Sequence, residues 1–268
     1  MKNWTLDDIP WASFDPAKVD PDMLRLVKAA GLVEYNAGDY AVYLCNVFGD
    51  DPAFQQIARD WADEEVQHGE ALGRWAEMAE AGYSFQAAFK RFTDGYKIPL
   101  DVNASVRGSR TGELVARCIV ETGTSSFYSA LADATDEPVL KAICKRIAAD
   151  EFRHYKLFYT HMKRYDAQEH VGRVRRLMVA VGRLKETDDD ELAYAWHAAN
   201  EPGQAYSRER CNRLYAGNAY GRYRFGHVQR AVGMILKATG FDPQGWLGRQ
   251  AVKFAWRKMQ KRAAALAA

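Results

Sequence analysis

Trp61-Ala62-Asp63-Glu64-Glu65-Val66-Gln67-His68-Gly69 decides how this chain is read, together with a later counterpart, Ala148-Ala149-Asp150-Glu151-Phe152-Arg153-His154. Each stretch holds a Glu-x-x-His pair: Glu65 with His68, and Glu151 with His154. At 3.6 residues per turn, positions three apart share a helix face, so the carboxylate and the imidazole can reach one ion. Chance supplies part of this signal. With 15 Glu and 6 His among 268 residues, random placement gives about a third of one such pair. Two pairs therefore suggest a site and do not decide it.

The surrounding sequence predicts long helices. A first helix opens at Pro21-Asp22, with proline in its first turn, and runs over 21–47 to the Gly49-Asp50-Asp51-Pro52 break. A second covers 52–81 and stops at Gly82. An amphipathic piece at 85–92 and a loop lead to a third helix over 111–134. The turn Thr135-Asp136-Glu137-Pro138 leads to a fourth over 138–165, and a fifth covers 169–184. An acidic turn at 187–191 is followed by shorter helices near 191–199, 204–215 and 227–239, and a last one from 245. Residues 1–20, with Pro10 and Pro16, read as an arm wrapped on the domain. Alternating β-branched runs and Asn-Gly turns are absent, and so are internal repeats. The expected fold is all-α: one domain over 1–268, with a four-helix bundle core at about 22–165 and additional helices at about 166–268.

The two remaining long helices each carry a glutamate among apolar neighbours, Glu34 on the first and Glu121 on the third. A buried lone carboxylate costs several kcal/mol unless it is paired, protonated or bound to metal. The order along the chain is Glu, Glu-x-x-His, Glu, Glu-x-x-His on four successive helices. That is the arrangement of dinuclear carboxylate sites in helical bundles. Four carboxylates and two imidazoles neutralise two divalent ions, and the mixed oxygen and nitrogen donors suit iron or manganese better than structural zinc. Glu64 precedes Glu65 and Asp150 precedes Glu151. In an antiparallel bundle these acids can orient the opposite imidazole, Asp150 with His68 and Glu64 with His154. The bland alternative for both is an exposed helix charge.

This pattern resembles the ferritin-like di-iron carboxylate superfamily. It looks most like the oxygen-activating members: acyl-carrier-protein desaturases, aldehyde-deformylating oxygenases and related oxidases. Glu64-Glu65-Val66-Gln67-His68-Gly69 is similar to the desaturase Glu-Glu-x-x-His-Gly signature, and Asp150-Glu151-Phe152-Arg153-His154 to its Asp-Glu-x-Arg-His. The resemblance covers about residues 22–165. It implies a ferritin-like bundle, two Fe ions (or Mn in one or both positions), Glu65 and Glu151 as bridging ligands, and Glu34 and Glu121 as terminal ones. Thr124 stands where desaturase-like enzymes often carry a threonine near the oxygen pocket. A helix hydroxyl bonded to a backbone carbonyl is an equal reading. The resemblance also implies a homodimer and an external electron donor.

The expected function is oxygen-dependent oxidation of a small organic or acyl-type substrate. The alternative is a ferroxidase or iron-handling protein with no organic substrate. A self-contained rubrerythrin-type peroxidase lacks support, because Cys45, Cys118, Cys144 and Cys211 form no Cys-x-x-Cys pair. These cysteines read as reduced core thiols of a cytoplasmic protein. His161, His170, His197 and His227 read as surface or core-satisfied residues. Ala30, Gly31, Ala37, Gly38 and Ala41 make one face of the first helix small, which suits either a substrate channel or close helix packing.

Net charge is +2, yet residues 208–262 carry 13 Lys/Arg against Glu209 and Asp242. That basic region, with Trp246, Phe254 and Trp256 interleaved, fits docking of an acidic carrier protein or a membrane surface, or else a solvated helix face. No nucleic-acid motif accompanies the charge. No run approaches the roughly 20 apolar residues of a membrane span.

Overall fold

The structure, a computed structural model, describes residues 4–186 and 190–267. Most of the expected acidic turn at 187–191 lies outside them. The helices are α1 (Pro21–Tyr35), α2 (Ala37–Val47), α3 (Pro52–Ala79), α4 (Phe85–Gly95), α5 (Arg110–Ala134), α6 (Pro138–Glu169), α7 (Arg173–Lys185), α8 (Asp190–Asn200), α9 (Arg208–Tyr220), α10 (Phe225–Thr239) and α11 (Trp246–Ala267). No strand occurs among the described residues, so the class is all-α as expected. None of these helices is long and apolar enough to cross a membrane.

The described residues divide into two compact units. The first comprises 4–103, 131–146 and 190–219; the second comprises 104–130, 147–186 and 220–267.

In the first unit, the N-terminal arm forms short 3-10 turns, and Trp4 and Ile9 are buried. Asp20 caps α1 by accepting from the N–H groups of Asp22 and Met23, with Pro21 in the first turn. Asp51 accepts from Phe54 N–H ahead of Pro52 in the same way at α3. Glu137 caps α6, accepting from Val139 N–H at 3.2 Å and Leu140 N–H at 2.7 Å, and it also takes the Trp75 indole N–H at 2.7 Å.

α1 packs on α3 and α8, and α2 on α3. α1 and α3 run antiparallel: Tyr35 lies against Gly69, Gly31 against Leu72, and Lys28 Nζ reaches Glu80 at 3.1 Å. A Cβ on Gly69 would stand 2.6 Å from Tyr35 Cβ and 2.7 Å from its backbone nitrogen. Only glycine permits that crossing. A Cβ on Gly73, one turn on, would stand 2.5 Å from the Phe85 ring.

The single helix expected over 21–47 is corrected to two. Asn36 breaks it, at φ −81° and ψ 6°, with its N–H turned to Val33 O at 3.2 Å. The segment Asn36-Ala37-Gly38-Asp39 is weakly helical, because Asn and Asp compete for backbone bonds and Gly adds entropy to the unfolded chain.

In the second unit, α5 and α6 form an antiparallel pair. Thr111 N–H donates to Glu169 Oε2 at 2.7 Å near one end, and Ser125 Oγ donates to Ala148 O at 3.1 Å further along. α6 runs four residues past the expected end at 165. His170, at φ +50°, stops it, and Asp166 Oδ1 accepts from Val171 N–H at 2.9 Å. α7 therefore begins at Arg173 rather than 169. α10 packs on α7 and α11.

Candidate metal centre

Each unit holds one buried carboxylate–imidazole triad. In the first unit, Glu34 comes from α1, and Glu65 and His68 come from α3. Each offers one ligand atom, and the three atoms lie within 4.8 Å of one another. In the second unit, Glu121 from α5 joins Glu151 and His154 from α6 under the same limit. His68 is fully buried, and the least buried of the six, Glu34, is 8% exposed. The i, i+3 spacing on α3 and α6 brings each histidine beside its glutamate, and the antiparallel partner helix brings the third carboxylate. The six residues expected from the sequence thus fall into two groups of three, each in one unit.

Two buried carboxylates within such a distance repel each other strongly at low dielectric, and a cation held between them and the imidazole offsets that cost. The donor set fits iron or manganese. Neither triad contains a thiolate, and each combines two hard carboxylates with an imidazole.

The two groups are built differently. In the first, His68 Nδ1 stands 3.1 Å from Glu65 Oε2 on its own helix, and the Trp4 ring stacks on the imidazole with centroids 6.0 Å apart. Gln67 Nε2 donates to Trp4 O at 2.9 Å and holds the arm there. In the second, His154 Nδ1 lies 3.8 Å from Glu121 Oε2 across the helix pair. Thr124 Oγ1 is 2.6 Å from Glu151 Oε2, as well as 3.2 Å from Val120 O. The carboxylate contact is much the shorter, as expected for a hydroxyl donating to an anion. Thr124 therefore touches a candidate ligand, and its backbone contacts to Val120 O and to Glu121 O at 3.3 Å are the weaker ones. Glu64 and Asp150 are both buried, which excludes the exposed-charge reading. Asp150 Oδ1 accepts from Arg153 Nη2 at 3.0 Å.

Trp4 and Gly69 are contributors that the pattern of ligand residues did not reveal. The small residues expected to share one helix face divide between α1 and α2, and between the two readings. Gly31 serves close packing, while Gly38 borders a cavity of about 440 Å³ in the first unit, with Tyr35, Asn36, Phe89, Thr93 and Tyr96. The buried Asn36 amide nitrogen has no hydrogen-bond partner. The cysteines are free, and burial pushes the Cys118 and Cys144 thiols far above their ordinary range, so both are inert core groups.

A sequence model of the Rubrerythrin family matches residues 113–201. The chain is similar to that family over about a third of its length. The matched stretch contains Glu121, Thr124, Glu151 and His154, the whole of the second triad; the first triad precedes it. The match supports the ferritin-like superfamily and, with the buried triads, a di-iron carboxylate protein. No curated protein matches the chain.

Proposed function

We propose that the six residues form one dinuclear metal centre, with iron in both positions or manganese in one or both, and that the protein is an oxygen-dependent oxidoreductase. The observation that carries this reading is the pair of buried Glu–Glu–His triads, each built on a Glu-x-x-His helix face. In this assignment Glu65 and Glu151 bridge, and Glu34 and Glu121 are terminal. Asp150 accepts from His68 and Glu64 from His154, which fixes each imidazole tautomer. Two such ions, when bound, supply dioxygen reduction and substrate oxidation.

The chain's own residues set the conditions for that chemistry. The Thr124 hydroxyl holds its proton on Glu151 Oε2 and restrains that carboxylate. Trp4 covers one face of His68 and excludes water from it. The cavity beside Tyr35 and Asn36 begins one residue after Glu34 and has room for a small organic molecule. Its unpartnered Asn36 amide is a donor for a substrate oxygen.

The electrons come from an external donor protein, and the working form is a homodimer in the cytoplasm. The exposed Trp246, Leu247 and Phe254 stand in sequence among Arg249, Lys253 and Arg257, a surface suited to an acidic carrier that delivers an acyl-type substrate.

Metal analysis of protein expressed in iron-replete medium tests the centre. About two transition-metal ions per chain are expected, and metal-free protein would overturn the reading. Oxygen uptake should require a reductant and an organic substrate. Multiple-turnover iron oxidation with no such substrate would replace the oxidase reading with ferroxidase activity.

A further inference from the structure

A third group of ligand-type side chains lies in the first unit, away in sequence from both triads. His197 lies in the last turn of α8, and Glu201 stands just past its end, with its N–H donating to His197 O at 2.9 Å, which sets the two side by side. Cys211 comes from α9 and is fully buried. One ligand atom from each lies within 4.8 Å of the other two. We propose that His197, Glu201 and Cys211 form a mononuclear site for a borderline-soft divalent cation of the zinc class, with water in its fourth position.

The donor chemistry separates this site from the carboxylate triads. One thiolate, one imidazole and one carboxylate make a zinc-type set, whereas the triads have no sulfur. His197 points to a missing partner: its Nδ1 is buried and has no hydrogen bond. The rings of Tyr194 and Tyr206 flank it, with centroids 5.6 and 5.5 Å away. Glu201 receives Cys211 Sγ at 3.9 Å and Arg210 Nη2 at 2.9 Å, both on Oε2, and Oε1 remains for a cation.

A nucleophilic Cys–His pair fits less well. Burial raises the Cys211 pKa, so the thiol is not primed for attack. A cation instead displaces the thiol proton: the S–H bond breaks, a metal–sulfur bond forms, and one proton is released to solvent. The bound ion would tie α8 to α9 across the 201–207 connection.

Cobalt(II) is the probe, added to the full chain. A thiolate-to-cobalt charge-transfer band in the near ultraviolet should appear with one ion per chain, and zinc should bleach it. Cys211→Ser should abolish the band, while Cys45→Ser should keep it. His197→Gln should weaken cobalt binding at least tenfold, which keeps the test decisive if the cysteine variant fails to fold. Cobalt bound with no thiolate band, or a band that survives in Cys211→Ser, would overturn the proposal. The sulfur band does not report on the carboxylate triads, so this proposal and the dinuclear centre stand or fall separately.

Discussion

The two triads use the same residue types and the same helix spacing, but different supports. In the first, backbone proximity does the positioning. Gly69 lets the Glu34–Tyr35 end of α1 close on α3, and Trp4 lies on the imidazole. In the second, hydroxyls do it: Ser125 ties α5 to α6, and Thr124 holds Glu151. A ligand motif thus specifies the donors and leaves their positioning to whatever neighbours the local packing supplies. The first half depends on the absence of side-chain volume, the second on the presence of hydrogen-bond donors.

The strongest way to break this comparison is to remove ligands. Glu65→Ala and Glu151→Ala should each lose most bound metal, because each residue serves both ions in the proposed centre. Glu34→Ala should keep about half. Metal-to-protein ratios on purified variants check this, and full occupancy in all three would remove the assignment of bridging and terminal roles.

Next in size is the contrast between two glycines. Gly69→Ala forces a methyl into the Tyr35 backbone and should cost about 2–3 kcal/mol, lowering Tm by several degrees. On α5, a Cβ at Gly123 meets nothing within 4 Å. Gly123→Ala should therefore be neutral or stabilise by up to about 1 kcal/mol through helix propensity. Thermal unfolding of the two variants side by side reads the difference. Equal Tm values would mean that the α1–α3 crossing relaxes freely.

These contrasts also mark what the sequence could convey. The triads were legible because Glu-x-x-His on a helix fixes its own geometry, and the helix starts were legible at Pro21, Pro52 and Pro138, each preceded by an acid. The break at Asn36 was not, because apolar residues continue in helical spacing on both sides of it. Nor was the stacking of Trp4 on His68, whose partners are 64 positions apart and carry no shared motif. Thr124 had three acceptors in reach, the Val120 and Glu121 carbonyls and the Glu151 carboxylate, and only the distance of 2.6 Å to Glu151 ranked them. His197, Glu201 and Cys211 were passed over because no standard metal spacing links α8 to α9.

A smaller effect tests the second triad's dependence on donors. Thr124→Val keeps the shape and removes the hydroxyl, leaving Glu151 Oε2 without that partner. Metal affinity should fall by about 10- to 100-fold, the usual range for groups that orient ligands, and Thr124→Ser should restore it. Competition with a chelator measures the change. An unchanged affinity in Thr124→Val would assign the hydroxyl to the Val120 carbonyl and remove Thr124 from the site.

The smallest effect concerns a polar tie of the second unit. Arg107 donates from both terminal nitrogens to Glu186, at 2.6 and 2.5 Å, and tethers the loop before α5 to the end of α7. That hydrogen bonding holds the Glu186 carboxyl below its usual value of 4.5, with the Arg107 and Arg183 charges adding to it against partial burial. Because the folded-state pKa is depressed, the tie stabilises the fold above the ordinary carboxylate range and is lost as pH falls through it toward the lowered value. Glu186→Gln should lower Tm slightly at neutral pH, and the difference should shrink as pH falls through the ordinary carboxylate range and vanish below the lowered folded-state value. The Glu186 side chain is 42% exposed, so solvent screening keeps the effect under about 1 kcal/mol. A Tm difference that persisted at low pH would mean that shape, rather than charge, fixes this loop. The second unit would then depend on packing as the first does.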